Sequence, residues 1–453
     1  MPGGRMGRPE PACRVTPRRR EKKAAGRLGS GEPPRVSCAS FFEGLAGLSP
    51  PAPPPAVART SPVAASGAKG RMSEPRPTSH APGTDAASAE LDRLRERIDA
   101  IDDAILEQLN QRARLGQAVG AVKRAADAPI YSASRERDLV ARLAARNPGP
   151  FPTPALRAVF REIISAVRSL EGPLRVAYFG PEGTFTHLAA RQQFGGQAEL
   201  APFASVPEVI VAVERGAAEL GVVPVENTTE GVVTETLDTL VEAGVTLCGE
   251  IQLRISQQLL SRSGRLEDVK RVASHPQPLA QCRGWLERTL PGVERVVTAS
   301  TAAAARLAAD DPGVAAIGSA AAAEAYGLEV VAAGIEDRRD NTTRFLVLGR
   351  EPAPPSGSDL TSAVFTVGKH EAGALHRLLE PFAAEGVNLT AIQSRPIKGK
   401  PWEYLFFVDL EGHASEERVA RALAEAARRA HSHRVLGSFP RASARPAERG
   451  AAR

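Results

Sequence analysis

The chain has 453 residues, enough for roughly two to four domains at about 100–200 residues each. Charged residues make up 24% and apolar residues 42%, as in soluble globular proteins, while aromatics at 4% leave the core to Leu, Val, Ile and Ala. The net charge of +6 is local: residues 1–72 hold 13 Lys+Arg against 4 Asp+Glu, which leaves 45 against 48 for the rest, so the body has no basic footprint for nucleic acid and no uninterrupted apolar run long enough for a membrane span.

Residues 1–88 are rich in Pro, Gly, Arg, Ser and Ala and are expected to lack a folded core, because too little apolar surface is present to offset chain entropy. No continuous apolar segment suits a secretory signal. A transit peptide would fit the basic composition, but an upstream start with Met72 as the true first residue is the simpler expectation. Of the four cysteines, Cys13 and Cys38 lie in this tail, and Cys248 and Cys282 lie in the body. No pair has metal-ligand spacing or suggests a disulfide framework, so a reducing cytoplasm and no metal are expected.

Residues 91–126 contain no proline, and apolar residues at 91, 94, 98, 101, 105, 115, 119 and 122 form a helical stripe. Such a helix would be about 50 Å long, which suggests a bundle or a dimer. A second helix fits 135–146. A third begins at Thr153 as N-cap, with Pro154 in its first turn, and runs to about Leu170. Gln108 and Arg112 interrupt the first stripe. Arg95, Lys123 and Arg135 add cations, and Glu171 continues the face of Phe160, Ile164 and Val167. Long side chains of this kind can snorkel outward. A recurrent inward set instead requires an anion. Arg95 and Arg112 are about 25 Å apart along one helix, so a site using both needs a second chain. An intertwined dimer follows.

The stretches LRERIDAID, NQRARLGQAVGAVK and SRERDL resemble the all-helical chorismate mutase family. The resemblance implies that Arg95, Arg112, Lys123 and Arg135 hold the carboxylates and ether oxygen of chorismate. It also implies that Glu136 binds the hydroxyl and that Glu171, protonated or paired with Lys123, faces the ether oxygen. Ser132 stands where some members carry Asp.

From 174 onward, strands run repeatedly into polar turns and helices: LRVAYFG, LGVVPV, VKRVAS and GVAAIGS. This predicts an α/β sheet, largely parallel, with ligands at the strand ends. GPEGTF and SHPQP are turns suited to anions at helix starts. Singly these motifs are weak: His275 could be a helix cap, Glu226–Thr228 a surface turn, and DNTTRFLVLG an edge strand. Together, AYFGPEGTFTHLAA, VVPVENTTEGVV, SHPQPLAQC and NTTRFLVLG resemble prephenate dehydratase. That implies two lobes like type II periplasmic binding proteins, with Thr343 catalytic. Asn227, Ser274 and Gln281 would line the cleft, with Glu226, Thr228 and His275 beside them, and Arg344 would pair with a substrate carboxylate. Ala299 stands where some members carry Glu.

EPAPPSGS (351–358) reads as a linker. Residues 359–440 read βαββαβ, a ferredoxin-like unit. GALHRLLEPFAAEGVNLTAIQSRPIKGKPWEY resembles the ACT domain of the dehydratase family. There Gly373, Ala374, Leu375, Asn388, Ser394, Arg395 and Pro396 would line an interfacial phenylalanine site, with Gln393 where Glu is usual. A purely dimerising role is the duller alternative.

In order, the blocks 89–171, 174–350 and 359–440, followed by a tail at 441–453 expected to be disordered, resemble the bifunctional chorismate mutase–prephenate dehydratase family. The fold class expected is multidomain: all-α, then two-lobed α/β, then α+β. The partners implied are chorismate, prephenate, L-phenylalanine and a second copy of the chain; no cofactor, nucleic acid or membrane is implied. The rivals are a dehydratase with a silent mutase block and a non-catalytic amino-acid sensor.

Overall fold

The computed structural model describes residues 84–126, 131–368, 371–397 and 403–442, with side chains from 87. The expectations for residues 1–83 and 443–453 lie outside these.

Three helices open the chain: α1 (Thr84–Ala125), α2 (Ala133–Ala145) and α3 (Thr153–Glu171). α1 begins at Thr84, within the stretch expected to lack structure, because TDAASAELD contains good helix formers and no proline. α3 starts one residue earlier than expected. Pro152 rather than Thr153 is its N-cap, with no side-chain cap bond, and Pro154 lies in its first turn. α1 and α3 cross closely. A Cβ on Gly116 would lie 2.2 Å from Val167 Cγ1, and one on Gly120 would lie 2.7 Å from Glu171 Cα. The two glycines therefore permit the approach. Among the described residues the other half of α1 has no such partner: Ile98 and Ile101 are 56% and 59% exposed.

The second block is two lobes. Lobe one holds β1 (Arg175–Phe179), α4 (Phe185–Phe194), β2 (Glu199–Phe203), α5 (Val206–Glu214), β3 (Leu220–Asn227), β4 (Gly231–Val232), α6 (Thr234–Leu240) and β5 (Thr246–Arg254). Lobe two holds β6 (Gln258–Ser261), β7 (Arg271–Ser274), α7 (Pro276–Gln281), α8 (Arg283–Thr289), β8 (Glu294–Val297), α9 (Thr301–Asp310), β9 (Val314–Gly318), α10 (Ala320–Tyr326) and β10 (Glu329–Ala333). The chain then returns to lobe one as β11 (Thr342–Gly349). The sheet orders are β2-β1-β3-β11-β5, with β4 on β3, and β10-β6-β9-β7-β8. The expected largely parallel sheet is corrected. Pairings of β11 with β3 and β5, and of β6 with β9 and β10, are antiparallel. The cause is that the chain crosses between lobes twice, and each crossing brings a strand in from the opposite end. The same crossing makes β11 central rather than an edge strand.

The last block is β12 (Asp359–Thr366), α11 (Ala374–Ala384), β13 (Leu389–Pro396), β14 (Tyr404–Glu411), α12 (Glu417–Arg429) and β15 (Ser432–Pro440), in sheet order β13-β14-β12-β15. Its helices pack together on one face around Phe365, Leu378, Phe382 and Leu423. Its other face shares a core with lobe one: Leu360, Phe407, Leu436 and Phe439 pack with Val225, Leu240, Leu247 and Leu346. Each such side chain contributes about 1.5–3 kcal/mol on burial. The Pro-rich segment 351–358 therefore does not act as a free hinge. Gly437 is required there, since a Cβ would lie 2.3 Å from Leu247 O. The start of the tail expected to be disordered is also held: Arg441 N donates to Ser358 O, and Ala442 N donates to Glu250 Oε1 at 2.7 Å.

Candidate functional site

Two constellations stand apart. The first is a pocket between α1, α2 and α3, lined by Arg112, Lys123, Ser132, Arg135, Glu136 and Glu171 among others, with a volume of about 220 Å³. The fold brings these sequence-selected residues together because Arg112 and Lys123 share one face of α1, opposite the end of α3. Lys123 Nζ donates to Glu171 Oε2 at 2.8 Å. Pairing is thus the form in which Glu171 meets the pocket. Arg112 is half-buried and donates to Ile163 O at 3.3 Å. Burial lowers its pKa, opposed by Glu171 and Glu136. A desolvated guanidinium of this kind favours an anion. Arg95 does not join them. It is exposed on the outer half of α1 and bonds Asp92 at 3.2 Å.

One residue of this pocket was not anticipated. Arg168, 4% exposed, donates to Glu136 Oε1 at 2.5 Å. The apolar face of α3 pointed to Glu171 only. Arg168 lies beside that face and reads as an ordinary cation at a helix C-terminus.

Because Gly120 touches the main chain of Glu171, Gly120→Ala is expected to displace the end of α3. A displacement near 1 Å lowers turnover by about 10²-fold in an organised site. Turnover that depends on this pocket should fall by that factor while turnover in the two-lobed block holds, in parallel assays of one preparation.

The second constellation lies where both crossings between the lobes meet. Asn227 ends β3 and Thr343 is the second residue of β11, in register with each other. Asn227 Nδ2 donates to Thr343 Oγ1 and to Asn341 Oδ1, both at 2.8 Å. Asn227 Oδ1 accepts from the backbone N–H of Thr229 and Glu230. The amide orientation is thereby determined, and Thr343 Oγ1 is an acceptor toward Asn227. Its own proton is left for another group. Ile255 N donates to Asn341 O, tying the first crossing to the second. Thr228 Oγ1 accepts from Thr342 N at 3.0 Å and belongs to this scaffold.

On lobe two, Ser274 ends β7 and is fully buried, with Oγ donating to Ile317 O at 2.7 Å. Gln281 accepts from Gln257 Nε2 at 3.1 Å. Ala299 adjoins Thr298, whose N–H bonds Ser274 O. The two helix starts expected to offer free N–H groups are capped from within. Thr184 accepts from His187 N, and His275 Nδ1 accepts from Gln277 N. His275 is thus a cap in this structure. The GPEGTF turn instead bridges the lobes, with Gly183 O accepting from Ser319 Oγ at 2.7 Å. Gly183 has φ +82°, and a Cβ would lie 3.0 Å from Tyr326.

Arg344 and Glu226 do not join this constellation within the chain. Alternation along a strand turns them away from their neighbours Thr343 and Asn227. Arg344 Nε donates to Glu250 at 2.7 Å and Nη1 to Asp409 of β14 at 2.6 Å. Both residues line a small cavity against the C-terminal block, with Gln393. Burial lowers the Arg344 pKa, but Asp409 and Glu250 outweigh it, and the net shift is upward. A neutral Gln393 keeps a further carboxylate out of this cavity. Arg344→Met would leave Glu250 and Asp409 buried without their cation, at a cost of about 3–5 kcal/mol. Urea denaturation should show it, and Arg344→Lys should recover part.

In the C-terminal block, Gly373, Ala374 and Leu375 line an open cavity with Tyr404 and Phe406. Ser394, Arg395, Pro396 and Asn388 do not line it within one chain. Arg395 pairs with Asp238 of α6 at 3.2 Å, and β13 is an edge strand. Among the described residues no cluster suits a metal, and no helix is long and apolar enough to cross a membrane.

Family comparisons agree with this division. Chorismate mutase type II matches residues 94–172, prephenate dehydratase 176–353 and the ACT domain 362–428. The bifunctional chorismate mutase/prephenate dehydratase of Aquifex aeolicus (strain VF5) is 48% identical over 357 residues, covering 78% of this chain and 98% of that protein. Prephenate dehydratase from Arthrobacter aurescens, solved in complex with L-Phe, is 38% identical with a TM-score of 0.56, covering 60% and 92%. GqqA, described as a novel type of quorum quenching acylase, is 34% identical with a TM-score of 0.55, covering 59% and 98%. The chain belongs to the bifunctional chorismate mutase/prephenate dehydratase family.

Proposed function

We propose that this chain converts chorismate to prephenate in the helical block and prephenate to phenylpyruvate in the two-lobed block, within phenylalanine biosynthesis. One observation carries this reading: a single chain holds both the cation-lined helical pocket and the oriented Asn227–Thr343 pair.

The first step is an isomerisation that needs no nucleophile. Arg112, Lys123 and Arg135 hold the two carboxylates and the ether oxygen, so that a compact conformer is favoured and charge on the breaking C–O bond is stabilised. Lys123, paired with Glu171, faces the ether oxygen, and Glu136 accepts from the ring hydroxyl. Arg95 comes from a second copy, whose α1 covers the exposed apolar stripe of the first. In the second step the ring carboxylate leaves as carbon dioxide. Its electron pair passes through the ring and expels hydroxide, which takes a proton to leave as water. Thr343 supplies and relays that proton, with Asn227 fixing its direction. Ser274 and Gln281 bound the substrate from lobe two. Phenylalanine inhibits by binding where Gly373–Leu375 of one copy meets Asn388 and Ser394–Pro396 of another. The buried thiols Cys248 and Cys282 suit a reducing cytoplasm.

Purified protein given chorismate alone should release prephenate and then phenylpyruvate, the latter falling when phenylalanine is added. Turnover of added prephenate without turnover of chorismate would reduce the helical block to a scaffold. No turnover of either substrate would favour the sensor reading.

A further inference from the structure

Arg168 belongs to the helical block, yet it is anchored in the next one. Its guanidinium donates through Nη1 to Glu136 in the mutase pocket and through Nη2 to Phe194 O, the last residue of α4 in lobe one. Its Cζ lies 5.7 Å over the ring of Tyr131. That ring packs edge-on against Phe194 at 5.1 Å, and its hydroxyl accepts from Gln193 Nε2 at 2.8 Å. Two more bonds fasten α3 to this end of α4: Gly196 N donates to Glu162, and Gln197 N to Ser165 Oγ. α3 therefore buries a second face, Ser165 and Arg168, against the dehydratase domain, and Gly195 makes the approach possible. A Cβ there would lie 2.4 Å from Ser165 Cβ.

We propose that Arg168 is a positioning residue of the mutase site, set in place by the docked dehydratase domain. The carbonyl of Phe194 and the ring of Tyr131 hold the guanidinium, and the guanidinium holds Glu136 in the orientation that faces chorismate. The acidic wall of the mutase pocket is then complete only when the second domain is packed against the first. This rests on the mutase reading of the pocket.

The charges facing Glu136 indicate what Arg168 does there. Arg168 and Glu171 face it from α3, Arg112 and Lys123 from α1, Arg135 from its own helix and Tyr131 from the segment before it. Burial raises the pKa of Glu136, and Arg168 is the leading opposition. An ionised Glu136 is the form that accepts from a hydroxyl. Mutase activity should fall as pH drops through its pKa. Removing Arg168 leaves burial less opposed, raises that pKa further and moves the acid limb to higher pH.

The test uses the full-length chain and two assays, chorismate consumption and consumption of added prephenate. Arg168→Met should lower mutase kcat/KM by about tenfold or more, as expected for a lost bond to a charged group. It should also shift the acid limb upward, with partial recovery in Arg168→Lys. Gly195→Ala, a change in the dehydratase domain, should lower mutase activity in the same direction. Retained prephenate turnover shows that each variant has folded. In a Glu136→Gln background, Arg168→Met should move nothing further. A mutase pH profile of Arg168→Met that overlays the parent would overturn the proposal, as would full mutase activity in Gly195→Ala. If Glu136→Gln itself leaves chorismate turnover intact, the pocket reading fails instead.

Discussion

Arg112→Ala is expected to lower chorismate turnover by about 10²–10³-fold, the loss seen when one preorganised donor to developing charge is removed. Among the pocket cations Arg112 is placed to have the largest effect. Lys123 already meets Glu171, and Arg135 is exposed at the rim. Arg112 is half-buried, and its contact within the chain is a carbonyl oxygen. Its charge has been desolvated in the folded protein, and a substrate carboxylate recovers that cost on binding. Truncation to alanine removes the donor and leaves a carboxylate of chorismate facing Ile164 and Leu115. Prephenate turnover should be unchanged, because Arg112 lies in the helical block and touches neither lobe. Parallel assays with chorismate and with prephenate check both halves. Unchanged chorismate turnover would remove Arg112 from the site.

Thr343→Ala is expected to make prephenate accumulate from chorismate, with dehydration slowed by about 10²–10⁴-fold, the range for a lost proton donor. The argument rests on the amide of Asn227. Two backbone N–H groups take its oxygen, so its nitrogen must face Thr343. The threonine proton is then directed away from Asn227. Alanine removes that proton but leaves the scaffold, since Asn227 keeps Asn341 as an acceptor. Thr343→Ser should therefore retain much of the activity. Following both products by chromatography separates the steps. Normal phenylpyruvate formation in Thr343→Ala would deny Thr343 a catalytic role.

Much of this architecture was legible in the sequence. Periodicity alone marked the long helix, the alternating strands and the βαββαβ block, because burying one face of an element repeats at fixed spacing. Helical spacing placed Arg112 and Lys123 on one face, and the motifs around them named the pocket. Tertiary structure decided what local pattern cannot encode. The chain crosses twice between lobes, so TRFLVLG became a central antiparallel strand. Its alternation then turned Arg344 away from Thr343 and onto Asp409, a residue 65 positions later. Arg168 carries no signal in the sequence, because a second buried face leaves no apolar stripe when its members are Ser165, Arg168 and a glycine opposite. Sequence by itself determined which elements form, how they group into three blocks, and which face of the long helix carries Arg112 and Lys123. Only the tertiary structure decided which faces meet, because packing partners far apart in the chain share no period with it.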